Sequence, residues 1–139
     1  MEQFHATTID LDGRGVMLRG PSGSGKSDLG LRLIDGGARL VADDRTDLTL
    51  SDGTLTASAP AELAGRLEIR GVGIVSVPSV SQSALALIVD LVNDASVERL
   101  PEPETVELLG LALPLVRLAP FEASAPAKVR TALSLYCTL

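Results

Sequence analysis

The sequence predicts a single α/β domain spanning residues 1–139, with a mixed sheet, flanking helices and extra hairpins. Three observations point there. A chain of 139 residues is long enough for one core. Hydrophobic residues make up 45% of it and aromatics only 2%, so Leu, Val, Ile and Ala must build that core, as suits a sheet covered by helices. Strand-like and helix-like segments alternate, and a glycine-rich loop, "GPSGSGKS" at residues 20–27, joins a strand to the first helix.

Taken in order, "FHATTIDLD" (4–12) alternates well enough for a strand, and "GVMLRG" (15–20) follows a tight turn as the second. From Lys26 to Ile34, Leu29, Leu31, Leu33 and Ile34 mark a short helix ended by Gly36 and Gly37. "ARLVADD" (38–44) is a short apolar strand ending in two acids. "TDLTLSDGTLTAS" (46–58) predicts a hairpin about Asp52 and Gly53. "LEIRGVGIVSV" (67–77) reads as one strand-like piece carrying Gly71 and Gly73 and stopping at Pro78. The longest apolar run, "ALALIVDLV" (84–92), reads as a central buried strand. "VERLPEPETVELLG" (97–110) is acidic and broken by prolines, which predicts a loop with one helical turn. "LPLVRLAPF" (113–121) is the last strand and "APAKVRTALSLYC" (125–137) a closing helix.

The net charge of −6 leaves no basic stripe of the kind nucleic-acid binding needs. It does not argue against a nucleotide, whose phosphates can be met by backbone N–H groups, one lysine and a metal ion. Cys137 is the only cysteine, so no internal disulfide is possible and a reducing compartment fits. Neither a secretory leader nor a membrane-length apolar run is visible, so a cytoplasmic domain without a membrane partner is expected.

The loop matches the full phosphate-binding pattern through Gly20, Pro21, Ser22, Gly23, Ser24, Gly25, Lys26 and Ser27. Its glycines let backbone N–H groups turn toward phosphate oxygens, Lys26 reaches the β- and γ-phosphates, and the Ser27 hydroxyl can ligate Mg2+. The following helix adds the positive end of its dipole. Asp43 and Asp44 close an apolar strand, where an acid commonly serves Mg2+. Adjacent strand residues point to opposite faces, so one acid can serve the metal and the other a substrate hydroxyl. Glu68 and Arg70 flank Ile69 and share one face, either as a functional pair or as a salt bridge at a strand end. His5, the only histidine, can exchange protons near neutral pH, although a lone histidine is more often structural than catalytic. Arg99 and Arg117 are isolated cations, able to neutralise phosphate or simply to lie on the surface. Cys137, with no basic neighbour in sequence, reads as a small buried apolar residue.

Together, "HATTIDLDGRGVMLRGPSGSGKSDLGLRLIDGGARLVADD" and "LEIRGVGIVSV" resemble the catalytic domain of bacterial HPr kinase/phosphorylase over about residues 4–118. The family's histidine, phosphate loop, Val-Ala-Asp-Asp strand and Glu-Ile-Arg-Gly signature occur here in order. The resemblance implies the phosphate-loop, PEP carboxykinase-like fold of that domain. It implies ATP and Mg2+ as cofactors and an HPr-type phosphocarrier protein as partner, phosphorylated on a serine. It makes His5 the active-site histidine, Lys26 the phosphate lysine, Ser27 and Glu68 the Mg2+ ligands, and Arg70 part of the signature. The Asp43–Asp44 pair covers the aspartate that takes the serine proton, Asp44 being favoured. Arg99 matches the arginine of the family's Asp-Arg-Leu stretch.

The chain departs from the family in two places. It starts almost at the histidine, like the short alphaproteobacterial form without an N-terminal domain. Where the family has Pro-Val-Arg-Pro-Gly-Arg, tied to phosphorolysis of phosphoserine, this chain has "LAPFEAS" at 118–124. Kinase activity is therefore expected and efficient phosphorolysis is not, and a homo-oligomer is possible. A nucleotide-sensing module and a small-molecule kinase on a phosphate-loop fold are the rival readings.

Overall fold

The computed structural model describes residues 1–137. In chain order it has β1 (Glu2–Phe4), β2 (Ala6–Leu11), β3 (Arg14–Arg19), α1 (Lys26–Asp35), β4 (Arg39–Ala42), β5 (Thr46–Ser51), β6 (Thr54–Ser58), β7 (Arg66–Ile69), β8 (Gly73–Ser76), β9 (Gln82–Leu91), β10 (Glu104–Leu108), β11 (Leu111–Leu118) and α2 (Ala125–Tyr136). Nine strands form one mixed sheet in the order β1-β5-β6-β9-β3-β2-β4, with β10 and β11 branching from β9, while β7 and β8 form a separate hairpin. No helix among the described residues is long and apolar enough to cross a membrane.

The apolar run expected at the centre is the hub. On one side β9 pairs in parallel with β3. On the other it takes β6 antiparallel through Gln82–Ala84 and β11 in parallel through Ile88–Leu91. Its side chains alternate between two cores, which is why the run is apolar on both faces. Leu87, Val89 and Leu91 join the cluster beneath α1 and α2, whereas Leu85 and Ile88 join the cluster within the curl of β5, β6, β10 and β11.

Three sequence expectations need correction. Residues 4–12 are two strands rather than one, because the chain changes partner at His5: β1 pairs with β5, and β2 with β3 and β4. Residues 67–77 form the hairpin β7–β8, in which Ile69 faces Gly73 and the turn holds Gly71 at φ 88°. Residues 97–110 hold no helical turn; a short 3₁₀ turn lies earlier, at Asp94–Ser96, and Glu104–Leu108 is strand β10. The prolines hid that strand by stopping just before it, at Pro103, where an edge strand tolerates them. Leu109 and Gly110, both at positive φ, then form the tight link to β11.

Helix α1 ends as its glycines predict: Gly36 N–H donates to the Arg32 and Leu33 carbonyls and Gly37 N–H to Ile34. A side chain at Gly36 would collide with the Arg130 guanidinium, which reaches from α2 to the Leu33 carbonyl at 3.2 Å. Arg32 ties the same helix to the segment after β11 by donating to the Pro120 carbonyl and, at 3.2 Å, to that of Glu122. Its side chain is only 29% exposed, so these bonds are partly shielded from water. Arg32→Ala is expected to lower stability by about 2 kcal/mol, measured as an earlier urea midpoint. Lysine should restore little, because one ammonium cannot replace the guanidinium fork.

Candidate active site

Strand β3 delivers the chain into the loop at Gly20. The loop folds back on itself, Ser24 N–H donating to the Pro21 carbonyl at 3.0 Å, and passes through Gly23 at φ 81° and Gly25 at φ 99°. Only glycine enters that region without strain. A Cβ on Gly25 would also stand 2.9 Å from the Phe121 ring. Lys26 is 6% exposed, and its ammonium donates to the carbonyls of Gly20 at 2.8 Å and Pro21 at 3.1 Å. The N-terminus of α1 opens directly onto this loop, adding its partial positive charge.

The two acids after β4 have different surroundings. Asp43 is 8% exposed. Its Oδ1 accepts from the Ser27 hydroxyl at 2.6 Å and the Thr7 hydroxyl at 3.1 Å, and its Oδ2 from the Glu68 N–H at 3.1 Å. One carboxylate thus joins the loop, β2 and β7. Asp44 sits at φ 66°, and Arg45 N–H donates across it to the Asp43 carbonyl at 2.7 Å. That is a γ-turn centred on a non-glycine residue at positive φ, a rare and strained arrangement found mainly where function requires it. The turn throws the Asp44 carboxyl outward, 59% exposed, to 2.7 Å from His5 Nε2. The acids diverge as expected, but the cause is this turn, since β4 has already ended at Ala42.

Sequence reasoning missed Thr7. Fully buried on β2, it donates to Asp43 and accepts the Asp44 N–H at 3.2 Å, so one hydroxyl positions both acids. The available signal was a polar side chain in a strand otherwise destined for the core, which must find partners there. Phe121 and Arg32 also escaped notice; nothing local marks them.

Lys26, Ser27, Asp44, Glu68 and Arg70 line one cleft of about 950 Å³. Arg70 lies just past the end of β7, in the turn, yet shares this wall with Glu68. Arg99 is exposed on the segment before β10 and lines neither this cleft nor its neighbour across the loop. Arg117 pairs with Glu104 on the surface. Cys137 is half-buried rather than buried, and its Sγ donates to the Ala86 carbonyl at 3.1 Å; burial pushes the thiol pKa up.

The donors around the loop suit Mg2+. Ser27, Asp43 and Glu68 offer hard oxygens, while no three His, Cys, Asp or Glu side chains among the described residues gather into a metal cage. Mg2+ characteristically takes one or two carboxylates and completes its shell with substrate phosphates and water.

The family model for the HPr serine kinase C-terminal domain matches residues 1–129. The HPr kinase/phosphorylase of Streptococcus salivarius is 41% identical over 126 residues, covering 82% of this chain and 41% of that protein. That of Clostridium botulinum (strain Eklund 17B / Type B) is 45% identical over 75 residues, covering 54% of this chain and 25% of that protein. The chain spans less than half the length of these curated relatives. The solved Hpr(Ser) kinase/phosphatase of Coxiella burnetii superposes with a TM-score of 0.86 at 30% identity, covering 97% of this chain and 95% of that one.

Proposed function

This chain belongs to the family of HPr serine kinase C-terminal domains, and on that premise we propose that it transfers the γ-phosphoryl group of ATP to a serine hydroxyl of an HPr-type phosphocarrier protein. The observation that carries the reading is the division between the acids: Asp43 is buried against the Ser27 hydroxyl, while Asp44 lines the open cleft and pairs with His5. The cytoplasm is the proposed site of action.

The backbone of residues 20–27 holds the phosphates. Lys26 neutralises charge developing on the transferred group, and Arg70, which lines the same cleft with Glu68, meets that group as it moves. Ser27 and Glu68 would hold Mg2+, with Asp43 fixing the serine. When bound, the ion neutralises phosphate charge and orients the chain of phosphates. The substrate serine oxygen bonds to the γ-phosphorus as the bond to the β–γ bridging oxygen breaks and ADP leaves. The serine proton passes to the Asp44 carboxylate, which the His5 imidazole orients. Arg99, away from both clefts, receives no step.

The test is transfer of labelled γ-phosphate to purified HPr. Labelling of the carrier on serine is expected, and none alongside normal ATP binding would leave a nucleotide-sensing module as the better account. The segment 118–124 contains no arginine, so millimolar inorganic phosphate is expected not to drive efficient dephosphorylation of phospho-HPr. Rapid phosphorolysis would overturn that half of the reading.

A further inference from the structure

The phosphate loop has two sides, and the chemistry described so far uses one. On the other lies a second cleft of about 760 Å³, bounded by Pro21 and the loop, by Leu91 at the end of β9 and residues 92–94 after it, and by Ala119–Glu122. Ser22, Gly23 and Phe121 border both clefts, so the two are continuous around the loop.

Their electrostatics differ. The first cleft sets the cations Lys26 and Arg70 among the carboxylates of Asp28, Asp44 and Glu68. The second has no cation in its lining, and its only charged groups are the carboxylates of Asp94 and Glu122. Glu122 accepts from the Lys128 ammonium at 2.8 Å, and that bond and its charge keep the Glu122 pKa low against the opposing effect of burial. Such a wall repels phosphate and attracts hydroxyl donors. The rest of the lining is apolar or neutral, from Leu91, Val92, Pro120 and the amide of Asn93.

Phe121 supplies a flat face. The chain has two Phe, one Tyr and no Trp, yet this ring is 69% exposed. Its position is nevertheless set by its surroundings. The ring rests against Gly25, and Arg32 grips the carbonyls on either side of it, at Pro120 and Glu122. An aromatic ring left in water on an anchored backbone is ready to stack on a partner.

We propose that the second cleft receives the nucleoside of the nucleotide whose phosphates the loop grips. Phe121 stacks on the base, and Asp94 and Glu122 accept hydrogen bonds from the sugar hydroxyls. The proposal rests on the reading of residues 20–27 as a nucleotide grip. It also accounts for how one loop can serve a long ligand, with charge on one side and a neutral body on the other.

The experiment compares ATP with inorganic tripolyphosphate, each with magnesium, by calorimetry on wild type, Phe121→Ala and Phe121→Tyr. Wild type is expected to bind ATP more tightly than tripolyphosphate. Alanine should shrink that preference by about tenfold, and tyrosine should restore it. Equal binding of the two ligands by wild type would overturn the proposal. So would an unchanged ATP-to-tripolyphosphate ratio in Phe121→Ala, including equal weakening of both, which would make the ring a buttress for Gly25. If wild type bound neither ligand, the nucleotide-grip reading itself would fail, and the proposal with it.

Discussion

Asparagine in place of Asp44 is expected to leave the protein folded and able to bind ATP while slowing phosphoryl transfer about 10³-fold. Asparagine has nearly the same shape, tolerates positive φ as well as any side chain but glycine, and its amide oxygen can still accept from His5. The γ-turn therefore survives the change. What is lost is the capacity to take the serine proton as the oxygen attacks phosphorus. The fall should appear in kcat, with the ATP dissociation constant little altered, because Asp44 lies outside the loop that holds the phosphates. Single-turnover transfer to HPr, with ATP affinity measured in parallel, decides it. Transfer within tenfold of wild type would remove Asp44 from the role of base.

The neighbouring acid should behave in the opposite way. Asp43→Ala leaves the Ser27 hydroxyl, the Thr7 hydroxyl and the Glu68 N–H without their acceptor in a buried setting. A stability loss of about 3 kcal/mol is expected, read as an earlier denaturant midpoint, together with weakened magnesium-dependent ATP binding. Asp43→Asn should fall between alanine and wild type. One amide oxygen can serve the two hydroxyls, but the NH₂ then faces the Glu68 N–H, donor against donor. The two substitutions thus separate stability from catalysis at adjacent positions. If Asp43→Ala were as stable as wild type, the carboxylate would not be the tie between the loop, β2 and β7.

Local features were legible because their causes are local. Lys26 to Ile34 was readable as a helix because the loop pattern, the leucines and the paired glycines all lie within a few turns, and α1 runs Lys26–Asp35. The central position of β9 was visible in its double-faced apolar run. What was not legible depends on groups far apart in the chain. Thr7 meets Asp43, and Arg32 meets Pro120 and Glu122, across separations that no periodicity reports. Asp43 and Asp44 are the same residue type in adjacent positions, so only the γ-turn distinguishes them, and nothing in "VADDR" requires one. At β10 the error came from composition: acids and prolines describe a solvated edge strand as well as they describe a loop.

The parallel pairing of β3 with β9 has a consequence for how the chain is made. β3 ends at Arg19, whereas β9 begins at Gln82, and the pairing between them cannot form until the ribosome has released both. Until then β3 has only β2 beside it in a hairpin, and a lone hairpin is marginal in water. The glycine-rich turn that follows β3 has no second strand to hold its base during that interval. Phe121 and the backbone that Arg32 clamps arrive later still. The glycine-rich loop is therefore synthesised early and becomes rigid late, after the chain has passed the far side of the cleft it serves.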